Sequence, residues 1–94
     1  MVSVVVKRDG REEPFVIEKI VVSLIKAGVP VEKAREIARR VECMFATADK
    51  VSARDLTKAL LTELKKENEE WYRNWIIFDK AVKRRATEKE LGLG

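Results

Sequence analysis

Residues 5–20 of the chain read VVKRDGREEPFVIEKI, and this stretch decides the fold. Two short runs that favour β-strands, Val2 to Lys7 and Arg11 to Phe15, stand on either side of Asp9-Gly10. An Asp-Gly pair between such runs predicts a β-hairpin, because a type I′ turn needs positive φ at both central residues. Pro14 has no backbone N–H, so the second strand is expected at a sheet edge.

Four helices are predicted after the hairpin. Helix 1 runs from Ile17 to Ala27 and ends at Gly28, and Pro30 lies near the first turn of helix 2. The side chains expected to face the core are Ile17, Ile20, Val21, Leu24 and Ile25 in helix 1, Ala34, Ile37, Ala38, Val41, Met44 and Phe45 in helix 2, Leu56, Leu60 and Leu64 in helix 3, and Trp71, Trp75, Phe78 and Val82 in helix 4.

Capping residues mark where the last two helices begin. Thr47 to Val51 is interpreted as a polar linker. Ser52, with Asp55 three residues later, predicts a capping box at the start of helix 3. Asn68, followed by two glutamates, marks the start of helix 4, since acids favour the positive end of the helix dipole.

Length and composition predict one small folded domain. The 94 residues are 46% hydrophobic and 38% charged, which suits one modest core. We expect an α+β fold, an N-terminal β-hairpin packed on a bundle of four helices, over residues 1–94, with residues 90–94 as a frayed tail. Lys, Glu and Arg dominate and Gln and His are absent, a composition typical of thermophiles.

Several classes of function are excluded by missing residues. With Cys43 as the single cysteine and no histidine, disulfide frameworks and Cys/His zinc sites are ruled out. Cys43 is expected to be buried and inert. No phosphate loop, dinucleotide fingerprint or nucleophile–base pair is visible, so an enzyme is not expected. Neither a signal-peptide pattern nor a membrane span is found, which predicts a cytoplasmic protein.

The cations near the hairpin raise the question of an anionic ligand. Lys7 and Arg8 leave the first strand at the turn, and Lys19 lies in the first turn of helix 1, where a cation opposes the helix dipole. An anion docked at that end would offset this cost. From spacing alone, the interpretation as ordinary surface cations is favoured. Arg35, Arg39 and Arg40 are likewise expected to form a solvated face.

Lys7-Arg8-Asp9-Gly10, with Phe15 and then Lys19-Ile20, resembles the signature of the ATP-cone, a domain of ribonucleotide reductases and of the repressor of their genes. The resemblance implies a non-catalytic regulatory module that binds ATP or dATP, with Mg²⁺ accompanying the nucleotide. It also implies nucleotide-dependent association with itself or with a larger partner, such as a reductase or a transcriptional regulator. Since nothing in the chain supplies a catalytic or DNA-reading half, the partner is expected to be another protein or further copies of the module.

The resemblance also assigns residues by position. It implies that Lys7, Arg8 and Lys19 meet the phosphates and that Glu13 contacts the ribose or base. The remaining residues that it implies around the nucleotide are Val5, Phe15 and Ile20 against the adenine, Ala53, Leu56 and Thr57 from helix 3, and Lys83 near the end of helix 4. Val16 departs from the pattern, because the family usually has Asp or Asn there. Losing that cap is expected to cost about 1 kcal/mol.

Two other functions stay open at this stage. One is a small basic nucleic-acid-binding domain that uses the arginines of helix 2 or the basic end of helix 4. The net charge of +4 makes it reasonable, although acidic residues are interspersed throughout. The other is a degenerate cone that acts only in protein–protein interaction.

Overall fold

The computed structural model describes the backbone of residues 1–90 and the side chains of residues 1–79. Its elements, in chain order, are β1 (Val4–Val6), β2 (Glu12–Pro14), α1 (Ile17–Lys26), α2 (Val31–Met44), β3 (Lys50–Ser52), α3 (Ala53–Glu67) and α4 (Glu69–Glu90). The predicted α+β class is confirmed, with a small sheet near the N-terminus and four helices. Apart from Glu90, the predicted frayed tail lies outside the described residues, as do the side chains of Val82 and Lys83.

The sheet has three strands in the order β2-β1-β3. β1 pairs antiparallel with β2, Val6 opposite Glu12, and parallel with β3, Val6 opposite Ser52. Pro14 therefore lies on an edge strand, as predicted. The interpretation of residues 47–51 as a linker is wrong at Lys50 and Val51, which belong to β3. A strand of three residues is too short to show the alternation of apolar and polar side chains that marks a strand. Its partner strand β1 is also distant in sequence, since Val51 pairs with Val5.

The hairpin turn is longer than a two-residue type I′ turn. The Gly10 amide donates to the Lys7 carbonyl at 2.9 Å, and the Lys7 amide donates to the Arg11 carbonyl at 2.7 Å. Gly10 has φ 88°, whereas Asp9 does not have positive φ. The Asp9 carboxylate instead accepts from the backbone amide and from Nε of Arg11, and the backbone bond lowers the pKa of Asp9. The hairpin is confirmed, but its turn is closed by Gly10 and the Asp9 side chain.

The core lies between the four helices. Its buried residues are Ile20, Val21, Leu24, Val29, Ala34, Ile37, Ala38, Val41, Leu60 and Leu64, with Phe15, Ile17, Phe45, Leu56, Ala59, Trp71, Tyr72 and Trp75 packed against them. Among the described residues, the side chains predicted to face the core are confirmed there except for three. Phe78 is half-buried but is not among the residues packed against this core. Ile25 is 39% exposed and Met44 is 49% exposed. Ile25 lies at the side of the apolar face of α1, and Met44 is the last residue of α2.

The predicted helix ends are confirmed. Gly28 has φ 98°, and the Val29 amide donates back to the Leu24 carbonyl at 3.1 Å, which closes the end of α1. Ser52 Oγ accepts from the Asp55 amide at 3.0 Å at the start of α3. Asn68 Oδ1 accepts from the amides of the second and third residues after it, at 2.8 Å and 3.2 Å, at the start of α4. The bond to Leu24 satisfies a carbonyl, and the bonds to Ser52 and Asn68 satisfy N–H groups, that a helix end leaves without partners.

Ion pairs tie α2 to α3. Arg40 pairs with Glu36 and, at 2.9 Å, with Glu67. Lys33 reaches Glu36 at 3.1 Å and Glu67 at 3.4 Å, and the buried Glu63 lies 3.6 Å from Arg40. The hydrogen bond from Lys33 lowers the pKa of Glu36, and the hydrogen bond from Arg40 lowers the pKa of Glu67.

Two expectations for α2 are therefore corrected. Arg35 and Arg40 are not simply solvated, because Arg35 donates to Glu18 on α1 at 2.6 Å and Arg40 belongs to the network with α3. Arg39 keeps the exposed character predicted for it. Cys43, expected to be buried, is exposed. It lies two positions after the buried Val41, which puts it on the opposite side of the helix.

Candidate functional site

A cleft opens where the hairpin meets three helices. Its volume is about 270 Å³. The side chains that line it come from β1, β2, α1, α3 and α4 and from the segments that join them: Val5, Lys7, Glu13, Pro14, Phe15, Val16, Lys19, Ile20, Ser23, Ala53, Leu56, Thr57, Leu60 and Trp75. The cleft therefore forms only when the hairpin, α1 and α3 are docked together.

The floor of the cleft is apolar, and its polar groups are already paired. Trp75 Nε1 donates to Ser23 Oγ at 3.3 Å, and Ser23 Oγ donates to the Ile20 carbonyl at 2.7 Å. These bonds connect α4 to α1 beneath the cleft. What remains open to a ligand is a set of aliphatic and aromatic surfaces, which suits a flat ring more than a charged group.

The rim of the cleft is charged. Lys7 Nζ lies 3.4 Å from Glu13 Oε2 across the two hairpin strands, and this pair holds the Lys7 ammonium beside the opening. Lys19 is exposed on the α1 side of the opening. Its neighbour Glu18 turns away to Arg35 on α2, so it does not oppose Lys19 within the cleft. Two ammonium groups and one carboxylate thus border the opening, and the balance favours an anion.

The first turn of α1 also faces this region and has no side-chain cap. Val16 is the N-cap residue, with φ −126° and ψ 108°, and it makes no capping hydrogen bond. The predicted loss of the cap at this position is confirmed. The first N–H groups of a helix carry partial positive charge and bind anions when no side chain occupies them.

Nine of the eleven residues predicted around a ligand line this one cleft. The two exceptions are Arg8, which is exposed on the turn and does not line it, and Lys83, whose side chain lies outside the described part of the chain. Sequence reasoning missed Ser23 and Trp75. Trp75 was assigned to the core from its helical spacing, and nothing in that spacing separates a core residue from the floor of a cleft.

A comparison with families of known proteins now decides the identity of the domain. The sequence model of the ATP cone domain matches residues 3–84 of the 94-residue chain. The chain belongs to the ATP-cone family. ATP-cones are regulatory domains that bind ATP or dATP. A search of curated proteins gave no match.

The cleft of this ATP-cone is small for a ligand site. Small-molecule sites usually enclose about 300–1,000 Å³, and this cleft of about 270 Å³ lies just below that range. Lys7 and Lys19 stand at its rim, outside the apolar floor.

Other features of the ATP-cone are less suited to a small anion. A wider concavity of about 810 Å³ lies along α2, but three glutamates balance the three arginines that line it, so it has no excess of positive charge. Among the described residues, no cluster of acidic and cysteine side chains is arranged to hold a metal ion. Within the same part of the chain, no helix has the length and apolar character needed to cross a membrane.

Proposed function

We propose that the chain binds ATP or dATP in the cleft between the hairpin and α3 without turning it over. The bound nucleotide then changes how the domain associates with itself or with a larger partner, such as a ribonucleotide reductase or a transcriptional regulator. The observation that carries this proposal is that Lys7 and Lys19, twelve positions apart in the sequence, border one apolar cleft.

The adenine is placed against the apolar floor. Phe15, Ile20 and Leu56 offer ring and aliphatic surface from three separate segments of the chain. Because Ser23 and Trp75 already pair with each other, hydrogen bonds to the base edge are left to Thr57 and to backbone groups. Glu13, held beside the opening by Lys7, is positioned to accept a sugar hydroxyl.

The phosphates are placed at the rim. Lys7 and Lys19 contact them from two sides, and the uncapped first turn of α1 adds backbone N–H donors. Each charge-assisted contact contributes about 1.5–3 kcal/mol. Two such contacts and partial burial of the base approach the roughly 8 kcal/mol of a micromolar complex. Mg²⁺ would arrive with the triphosphate, coordinated mainly by phosphate oxygens and water.

A regulatory role is supported by the fact that the ligand would contact several elements of the fold at once. The cleft takes side chains from the sheet, α1, α3 and α4, so a nucleotide prefers the arrangement in which all of them are docked. A ligand shifts an equilibrium only through such a difference in affinity between two states. The surfaces of α3 and α4 that such a shift repositions are the surfaces available to a partner.

Isothermal titration calorimetry with ATP, dATP and GTP in the presence of Mg²⁺ tests the proposal. Lys19→Ala should weaken ATP binding about tenfold or more, since it removes one charge-assisted contact. Lys26→Ala is the matched control, because it removes the same charge from the last turn of the same helix, away from the cleft. Equal affinity in the two variants, or no heat with any nucleotide, would refute the site.

Light scattering after gel filtration tests the regulatory half. We expect the molar mass of the protein, alone or mixed with a candidate partner, to change when ATP or dATP is added. Nucleotide binding with no change in mass in either case would restrict the proposal to binding alone.

A further inference from the structure

The outer face of α3 carries a second concavity that the nucleotide cleft does not use. Its volume is about 410 Å³, and it is closed on one side by Tyr72 of α4. Its charged lining consists of Arg54, Lys58 and Lys65, and no carboxylate is part of that lining. Arg54 and Lys58 are exposed and form no ion pair with any residue that the structure describes. We call this surface the α3 groove.

The three cations of the α3 groove stand in line. Arg54, Lys58 and Lys65 are four and seven residues apart and fall on one face of α3. At 1.5 Å per residue they extend over about 16 Å. That length suits a chain of several phosphates, whereas a single triphosphate would reach only one or two of these side chains.

The remaining groups favour nucleic acid over a protein segment. Lysine is depleted from the cores of protein–protein interfaces, yet two of the three cations here are lysines. A basic groove beside an aromatic ring is the usual arrangement for an unpaired strand, with cations along the backbone and a base stacked on the ring. The Lys65 ammonium lies 5.5 Å from the centre of the Tyr72 ring, so a base stacking there would displace it toward the phosphates.

We propose that the α3 groove binds a single strand of nucleic acid, with Arg54, Lys58 and Lys65 on phosphates along that strand and one base stacked on Tyr72. The α3 groove is a different surface from the arginine face of α2, which the sequence had offered as a nucleic-acid site. Two of the arginines on that face, Arg35 and Arg40, are engaged in ion pairs. Thr57 lines both the α3 groove and the nucleotide cleft, so the two sites share a wall. The binding assay is therefore made without nucleotide, and its outcome does not depend on ATP binding.

Fluorescence anisotropy with labelled oligothymidine and oligouridine of about fifteen nucleotides tests the proposal, the two probes separating DNA from RNA. Each phosphate contact on a single strand contributes about 0.7 to the slope of log affinity against log salt. Three contacts predict a slope of about −2 between about 50 and 200 mM salt. Arg54→Ala and Lys58→Ala should each reduce its magnitude by about 0.7. Tyr72→Leu should weaken binding about fivefold or more.

Arg39→Ala is the matched control, since it removes an exposed arginine from α2 outside the α3 groove. Circular dichroism confirms that each variant is folded. The proposal is overturned if neither strand binds saturably at the lowest salt, or if Arg39→Ala lowers the slope as much as Arg54→Ala. It is also overturned if a poly-glutamate peptide of similar length binds more tightly than the oligonucleotides, because the groove would then suit an acidic protein segment.

Discussion

Replacing Val16 by aspartate should stabilise the domain, although the substitution puts a charge in place of an apolar side chain. Val16 is the N-cap of α1, with extended backbone angles and no capping hydrogen bond. Its φ and ψ are those from which an Asp side chain accepts a hydrogen bond from the N2 or N3 amide. The Lys19 amide already donates to the Val16 carbonyl at 3.1 Å, so the Glu18 amide, at N2, is the donor that an Asp side chain at this position would serve.

The magnitude is the balance of three effects. A capping carboxylate contributes about 1 kcal/mol, and its interaction with the helix dipole adds about 0.5 kcal/mol. Val16 is 43% exposed, so losing its apolar contact costs about 0.5–1 kcal/mol. The net gain is about 0.5–1 kcal/mol, which raises the Tm by about 3–6 °C for a domain of this size.

Thermal unfolding followed by circular dichroism, in the absence of nucleotide, measures the effect. Val16→Ala is the reference, because it loses the same apolar contact without gaining an acceptor, and Val16→Asp should melt about 6–12 °C above it. Val16→Asn keeps the acceptor without the charge and should lie between them. The advantage of Asp over Asn should disappear in acid, since a capping carboxylate has a lowered pKa and loses its contribution once protonated. A melting temperature of Val16→Asp no higher than that of Val16→Ala would refute the reasoning.

Three further predictions concern stability. Leu24→Ala should cost about 2–5 kcal/mol in chemical denaturation, because Leu24 is fully buried; the exposed Val22, changed to Ala, is the control, and equal losses would contradict this core. Ser52→Ala should cost about 1 kcal/mol, since it removes the cap of α3, and an unchanged denaturation midpoint would count against that cap. Finally, the lowered pKa values of Glu36 and Glu67 should add stability above pH 4.5 that is lost as the pH falls. A denaturation midpoint that stays constant as the pH falls below 4.5 would show that the ion pairs of Glu36 and Glu67 with Lys33 and Arg40 contribute nothing to stability.

The helices and their ends could be read from the sequence because their signals are local. Gly28 ends α1 and Ser52 begins α3 through residues only a few positions away. The strand β3 could not be found in this way, because Val51 is held by its pairing with Val5 across the sheet. The expectation for Cys43 was wrong for a different reason, since helical periodicity itself places that residue opposite Val41.

The cleft was predicted less from physics than from resemblance. The family signature placed Lys7, Phe15 and Lys19 together, and all three line one cleft. Spacing alone favoured ordinary surface cations, since no local rule brings a hairpin turn next to the first turn of a helix. The α3 groove was not predicted, because Arg54, Lys58 and Lys65 look like the solvated face of any charged helix until Tyr72 closes one side.

The position of β1 in the middle of the sheet has a consequence for the order of folding. The hairpin joins neighbours in sequence, but β3 pairs with β1 only after the intervening chain, including α1 and α2, has been brought back on itself. Closing so long a loop is slow, because its loss of chain entropy is offset only when the contacts between β1 and β3 form. Val5 of β1 and Ala53, which follows β3, are brought together by this pairing, and both line the cleft. We therefore expect the capacity to hold a ligand to appear last during refolding. A partly folded chain would have its helices and still be unable to sense a nucleotide.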